Sequence, residues 1–293
     1  MNQPRNDSIR TVAVIGAGTM GRGIAHTLLR EGYSVLLTDS SQKALESAPE
    51  SVSRDLARDV EKERLTAEAK EQAIGRLAIA RHLDELSRAD FVIEAVTENF
   101  EVKADVFRRL ASICQAGAIF TSNTSSISIT RLAAVTGRPQ QFAGLHFFNP
   151  VPVMKLVEVV AGIETVPETL ETACALAAAL DKTPIRVNDY PGFVSNRVLM
   201  PMINEAIYAV MEGVAAPEAV DSVMKLGMNH PMGPLELADF IGLDVCLDIM
   251  KVLYEGFRDS KYRPCPLLEK MVYSGRLGRK TGRGFYEYHP AAR

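Results

Sequence analysis

The sequence predicts an α/β protein: a mostly parallel sheet with a protruding helical hairpin, followed by an all-helical second domain. Three observations lead there. Short, apolar, β-branched runs alternate with helix-spaced segments from Thr11 to Asn188. A charged, Ala-rich stretch interrupts that rhythm from about 42 to 88. From Pro191 onward strand patterns stop and long apolar helical patterns replace them. The boundary is placed near residue 188, giving domains 1–188 and 189–293.

The first element, Thr11 to Ile15, is a short apolar run rich in β-branched residues, as a central parallel strand requires. Gly16, Gly18 and Gly21 follow as G-x-G-x-x-G. Met20, Ile24, Leu28 and Leu29 then recur at helical spacing, and Gly32 stops that helix. Val35 to Thr38 reads as a second strand ending at Asp39. In such a strand–turn–helix unit the first glycine permits the tight turn. The second lets a pyrophosphate approach the backbone, and the third lets helix pack on strand. The helix N-terminus offers N–H groups and a positive dipole end to phosphates. Asp39 stands where an acid accepts from a ribose 2′-hydroxyl and repels a 2′-phosphate, which favours NAD over NADP. His26, inside the helix, reads as a packed or surface histidine.

The arm at 42–88 carries a thin apolar stripe at Leu56, Val60 and Leu65, with a break expected near Leu65–Thr66. Its charges form a solvated face, or else Arg54, Arg58 and Lys62 meet an anionic substrate tail. The α/β rhythm resumes with a strand at 91–96, a loop at Thr97 to Asn99, and a helix from Val102 to Ile113. The stretch 118–129 is a strand running into the polar turn "SNTSS". Strands at 142–148 and 155–160 flank "NPVPVM", a helix spans Pro167 to Leu180, and a last strand covers 184–188. In the second domain "GFVSNRVLMPMINEAIYAVMEG" is one long apolar helix, which Pro201 can bend. Pro217 to Leu226 is a short helix, and "PLELADFIGLDVCLDIMKVLYEGF" is a single helix apolar nearly all round. That surplus of apolar surface points to a homodimer formed through this domain.

The bulk numbers exclude several classes. With 293 residues, 47% hydrophobic and 24% charged, the chain has the size and composition of a two-domain globular protein. A net charge of −3 gives no drive toward nucleic acid or an anionic membrane. No apolar run is long enough to span a bilayer, and the polar start "MNQPRNDSIR" is no targeting signal. Cys114, Cys174, Cys246 and Cys265 make no metal-ligand spacing and read as free thiols in a reducing, cytoplasmic setting.

The stretch "GLHFFNPVPVMKLVEVV" sets His146 and Glu158 into apolar surroundings. If the two strands pair antiparallel about Pro152, the two residues are directly opposed; a half-residue shift makes them diagonal neighbours. A glutamate facing a histidine fixes its tautomer and stabilises the imidazolium, as a general base needs. The same pair could equally staple two strands. "SNTSS" at a strand end, Asn196 at the start of a helix, and Glu98 and Lys103 around another strand end favour the catalytic reading.

These strings, with "VIGAGTMGRGIA", "PGFVSNR", "KLGMNHPMGPLELADFIGLD", "DSKYRP" and "LGRKTGRGFYEY", resemble the L-3-hydroxyacyl-CoA dehydrogenases over nearly the whole chain. Within that family the likeness is strongest to the bacterial (S)-3-hydroxybutyryl-CoA branch. The resemblance implies a Rossmann-like domain with a CoA-holding helical hairpin, and a helical dimerisation domain. It implies an NAD-dependent enzyme acting on acyl-CoA, with no metal. It makes His146 the base, Glu158 its partner, and Ser125 and Asn196 donors to the substrate oxygen. It places Gly16, Gly18, Met20, Gly21, Asp39, Glu98, Lys103, Asn149 and Lys280 at the cofactor. The arm matches the family loosely, so Arg54 and Lys62 are assigned to CoA on charge, and Ser195 replaces an expected aliphatic residue. A dehydrogenase for a free hydroxy or sugar acid, or a non-enzymatic dinucleotide-binding relative, are the competing expectations.

Overall fold

A computed structural model describes residues 9–288. The chain divides into two compact units between Tyr190 and Pro191. The first is built on one eight-stranded sheet in the order β3-β2-β1-β4-β5-β6-β7-β8.

Strands β1 (Thr11–Ile15) and β2 (Ser34–Thr38) lie on either side of the glycine turn and helix α1 (Thr19–Arg30). They pair parallel, and β1 also pairs parallel with β4 (Phe91–Glu94). β5 (Ile119–Ser122) and β6 (Phe142–Phe147) extend the sheet, again parallel. The order of strands therefore reverses direction at β1 and β4, whose carboxyl ends open a crevice of the kind that holds ligands in such sheets. β7 (Leu156–Ala161) pairs antiparallel with β6, and β8 (Thr183–Asn188) pairs parallel with β7. No strand pairs beyond β8 among the described residues, and its pattern is largely exposed, with Pro184 and Arg186 in it. Helices α4 (Phe100–Ile113), α5 (Ile129–Ala134) and α6 (Pro167–Ala179) complete the crossovers.

The arm consists of α2 (Gln42–Glu61) and α3 (Ala67–Ile74), with Thr66 capping α3 by accepting from Ala69 N–H. Ala48, Val52 and Leu56 of α2 belong to the same buried cluster as α1 and the sheet, so the inner stripe of α2 is core. The stretch 42–88 also contains a strand, β3 (Leu77–Ile79), which pairs with β2. Three residues in a charged, Ala-rich context give no readable alternation, and only the free edge of β2 makes them a strand.

The second unit holds α7 (Ser195–Met211), α8 (Pro217–Gly227), α9 (Pro234–Ile241), α10 (Leu243–Phe257) and α11 (Pro266–Tyr273). Two expectations are corrected here. The long first helix starts at Ser195, because Gly192 (φ 74°) and Phe193 (φ 50°) are left-handed and cannot continue a helix. The expected single helix over 234–257 is two, split at Gly242, whose φ of 106° only glycine adopts readily. Helix α11 lay outside the expected elements. Asp221 accepts from Leu235 and Glu236 N–H and from the Tyr286 hydroxyl; Asp239 accepts from Phe285 and Tyr286 N–H. These two buried carboxylates tie the tail to the helices.

Candidate active site

At the nucleotide end, Gly16 adopts φ +108° and donates to Thr38 O at 2.8 Å. A Cβ there, or at Gly21, would collide with backbone oxygens of Ala95 and Gly16 respectively, whereas a Cβ at Gly18 would enter open space. No side chain caps the start of α1. Open space over Gly18 and uncapped N–H groups suit a pyrophosphate, so these residues fit a dinucleotide. Asp39 accepts from Ala17 N–H (2.6 Å) through one oxygen and from Ser41 N–H (2.7 Å) through the other. A carboxylate has about four acceptor sites, so both oxygens can still receive ribose hydroxyls. Gly16, Gly18 and Asp39 line a cleft of about 880 Å³ with Arg81 and Val96. Met20 is partly buried and packs against the core.

The "SNTSS" turn follows β5 and is shaped by Glu98. One Glu98 oxygen accepts from the Thr124 hydroxyl (2.6 Å), from Ser125 N–H (2.9 Å) and hydroxyl (3.3 Å), and from Ser126 N–H (3.1 Å) and hydroxyl (2.9 Å). Its second oxygen lies 3.4 Å from Lys103 Nζ. Burial works to raise the Glu98 carboxyl, but Lys103 and these donors outweigh it and leave it below its ordinary value. Lys103 is 1% exposed and pairs at 2.7 Å with Glu94, a fully buried carboxylate that also accepts from the Ser122 hydroxyl at 2.6 Å. Burial pushes the Glu94 carboxyl up, against the pull of Lys103. Glu98, at the exposed edge, and the buried pair Lys103 and Glu94 thus form one network beneath the turn that presents Ser125. Glu94 was missed, since in sequence it is one more residue of an apolar strand.

His146 and Glu158 are directly opposed in the β6/β7 register, and Nδ1 lies 2.8 Å from a Glu158 oxygen. Both are buried, and the His146 ring stands 4.6 Å from the Phe148 ring. Asn123 of the serine turn accepts from Phe147 N–H at 2.9 Å, which couples that turn to the strand carrying the histidine. Asn149 is exposed in the loop between β6 and β7.

A second cleft, of about 480 Å³, lies beside that loop. Arg54, Arg58 and Lys62 of the arm line it, as do Arg22, Asn149 and Val153. Arg22 and Arg54 both donate to the Ser51 hydroxyl at 3.3 Å. Arg22 was missed because its partners are far along the chain. His26 is buried and bonded to Asp59 at 2.9 Å, so it fastens α1 to α2; burial lowers its pKa despite Asp59.

In the helical unit, Asn196 sits buried on the first turn of α7 beside Ser195. Lys280 lies on the short turn 279–281 and donates to Asp244 at 2.6 Å.

A family model described as 3-hydroxyacyl-CoA dehydrogenase, NAD binding domain, matches residues 11–190, and that of the C-terminal domain matches 192–288. A probable 3-hydroxybutyryl-CoA dehydrogenase of Bacillus subtilis is 56% identical over 96% of this chain and 98% of its own length. A 3-hydroxybutyryl-CoA dehydrogenase of Bradyrhizobium diazoefficiens is 54% identical over 97% of each. The crystal structure of (S)-3-hydroxybutyryl-CoA dehydrogenase from Ralstonia eutropha is similar with a TM-score of 0.93 and 50% identity, covering 96% of this chain and 100% of that one.

Proposed function

The chain belongs to the 3-hydroxyacyl-CoA dehydrogenase family, and from that premise we propose how its residues divide the reaction. It is an NAD-dependent oxidoreductase that interconverts (S)-3-hydroxyacyl-CoA and 3-ketoacyl-CoA, with 3-hydroxybutyryl-CoA and acetoacetyl-CoA as the short-chain pair. The observation that carries the mechanism is the buried 2.8 Å contact between His146 Nδ1 and Glu158.

NAD, when bound, supplies the hydride acceptor. Gly16, Gly18, Gly21 and Asp39 would hold its adenosine half, with the α1 N-terminus facing the pyrophosphate. Glu158 holds Nδ1–H, which makes Nε2 the basic nitrogen. His146 takes the proton of the 3-hydroxyl at Nε2, and Glu158 stabilises the imidazolium so formed. In the reverse direction the imidazolium returns that proton to the 3-keto oxygen. Ser125 and Asn196 donate to the substrate oxygen. Glu98 and Lys103 serve by fixing the serine turn at the cofactor's edge, and Asn149 and Lys280 complete the cofactor set. Arg54 and Lys62, with Arg22, take the anionic CoA moiety in the second cleft.

We also propose a homodimer formed through the helical unit, where Val214, Leu226 and Met228 are exposed. No described helix is long and apolar enough to cross a membrane, and a cytoplasmic location fits that together with the reducing setting expected of the free thiols. The deciding experiment follows NADH formation from (S)-3-hydroxybutyryl-CoA with NAD. Free 3-hydroxybutyrate and a sugar acid serve as controls. Turnover that prefers the thioester is expected; equal rates on the free acids would remove the CoA assignment.

A further inference from the structure

Lys182 joins α6 to β8 and is 7% exposed, yet among the described residues its ammonium bonds to no carboxylate. It donates instead to the carbonyl of Val151 at 2.5 Å and to that of Met154 at 2.9 Å. The neighbouring Asp181 is taken by Lys155 at the surface. Burying an ammonium on neutral acceptors is costly, and an aliphatic side chain would fill the same space without that cost. Burial, with Arg30 and Lys155 adding to it, pushes the Lys182 amine down to about 8.

The two carbonyls lie on either side of the apex of the β6–β7 loop. Val151 is itself buried and packs on α1 at Gly23, where any Cβ would press on its side chain. Asn149 and residues 150–153 form one wall of the basic cleft, and no residue of this loop lines the nucleotide cleft. The His146–Glu158 opposition is secured separately, by backbone pairing from Ala143↔Ala161 to Phe147↔Val157. Releasing the loop therefore moves a wall of the basic cleft and leaves the catalytic register in place.

We propose that Lys182 is a positioning residue: by clamping the Val151 and Met154 carbonyls it sets the loop wall against which the CoA moiety docks. This rests on the reading of the basic cleft as the CoA site.

The test compares wild type with Lys182→Met on two substrates, (S)-3-hydroxybutyryl-CoA and the N-acetylcysteamine thioester of 3-hydroxybutyrate, which lacks the nucleotide part of CoA. The variant is expected to raise KM for the CoA ester about tenfold, as loss of a charge-assisted hydrogen bond does. Its kcat should stay within about twofold, and kcat/KM for the truncated thioester should not move. An equal loss on both thioesters, or no change on either, overturns the proposal. Should Lys182→Met fail to fold, Lys182→Gln is read by the same comparison, with a smaller shift in the same direction expected. Absence of wild-type turnover on both thioesters would instead remove the functional reading beneath it.

Discussion

His146 and Glu158 show what a single pair can be asked to do. The opposed carboxylate selects the tautomer of the imidazole and leaves its far nitrogen to take a proton. His146→Ala is expected to reduce kcat by about 10²- to 10⁴-fold with little change in NADH binding. Stopped-flow turnover and fluorescence titration measure the two separately, and an unchanged kcat would discard the general-base role. Asp39 works differently. It competes with a 2′-phosphate by charge and also occupies the N–H groups of Ala17 and Ser41. Asp39→Ala removes the repulsion and exposes two donors in one step. The NAD-to-NADP ratio of kcat/KM is expected to fall by at least about tenfold, and an unchanged ratio would place the ribose elsewhere. The opposition of His146 and Glu158 was legible because antiparallel partners share a constant sum. The hold of Glu98 on Ser125 and Ser126 was not, since a loop glutamate and a distant turn leave no periodic trace in sequence.

At the scale of elements, the glycine turn and the serine turn are built on opposite principles. The first depends on missing atoms: Gly21 lies so close to the Gly16 carbonyl that any Cβ must displace helix or turn. Gly21→Ala is expected to destabilise the protein by about 1–3 kcal/mol and to weaken NAD binding, measured by thermal melting and titration. A variant that melts and binds like wild type would mean α1 can slide without cost. The serine turn depends on one charge. Glu98 titrates below its ordinary value of 4.5 in the folded state. Its contribution to stability is therefore complete above about 4.5, where the unfolded carboxylate is also ionised, and is lost as pH falls through the lower folded value. Glu98→Gln should flatten the stability–pH curve on that acid side, read by denaturant midpoints at successive pH values. A parallel curve would mean the carboxylate stays uncoupled from the fold. Among the elements themselves, the central parallel strands β1, β2 and β4 were legible from apolar runs, whereas the parallel edge strand β3 was not. The break between α9 and α10 was not, because a glycine inside an apolar pattern does not announce its φ.

For the whole molecule, the two units were legible from the point where strand patterns end, since a change from period two to period 3.6 is a property of the chain itself. Self-association is a matter of which surface remains. Leu226 is 88% exposed on α8 and Met228 62% just beyond it. If the proposed homodimer forms through this face, a double substitution, Leu226→Glu with Met228→Glu, is expected to halve the mass seen by light scattering. A wild-type mass of one chain would remove the dimer, and a dimer mass unmoved by the substitution would remove this face.

The ends of the sheet bear on the same question. One edge, β3, is only three residues long; the other, β8, carries Pro184, which has no N–H to offer, and Arg186, whose charge resists stacking. Neither edge is a good template for another copy's strand. The first unit is thus guarded against fibrous growth by β-addition, and crowding at high concentration should leave it free of cross-β aggregates.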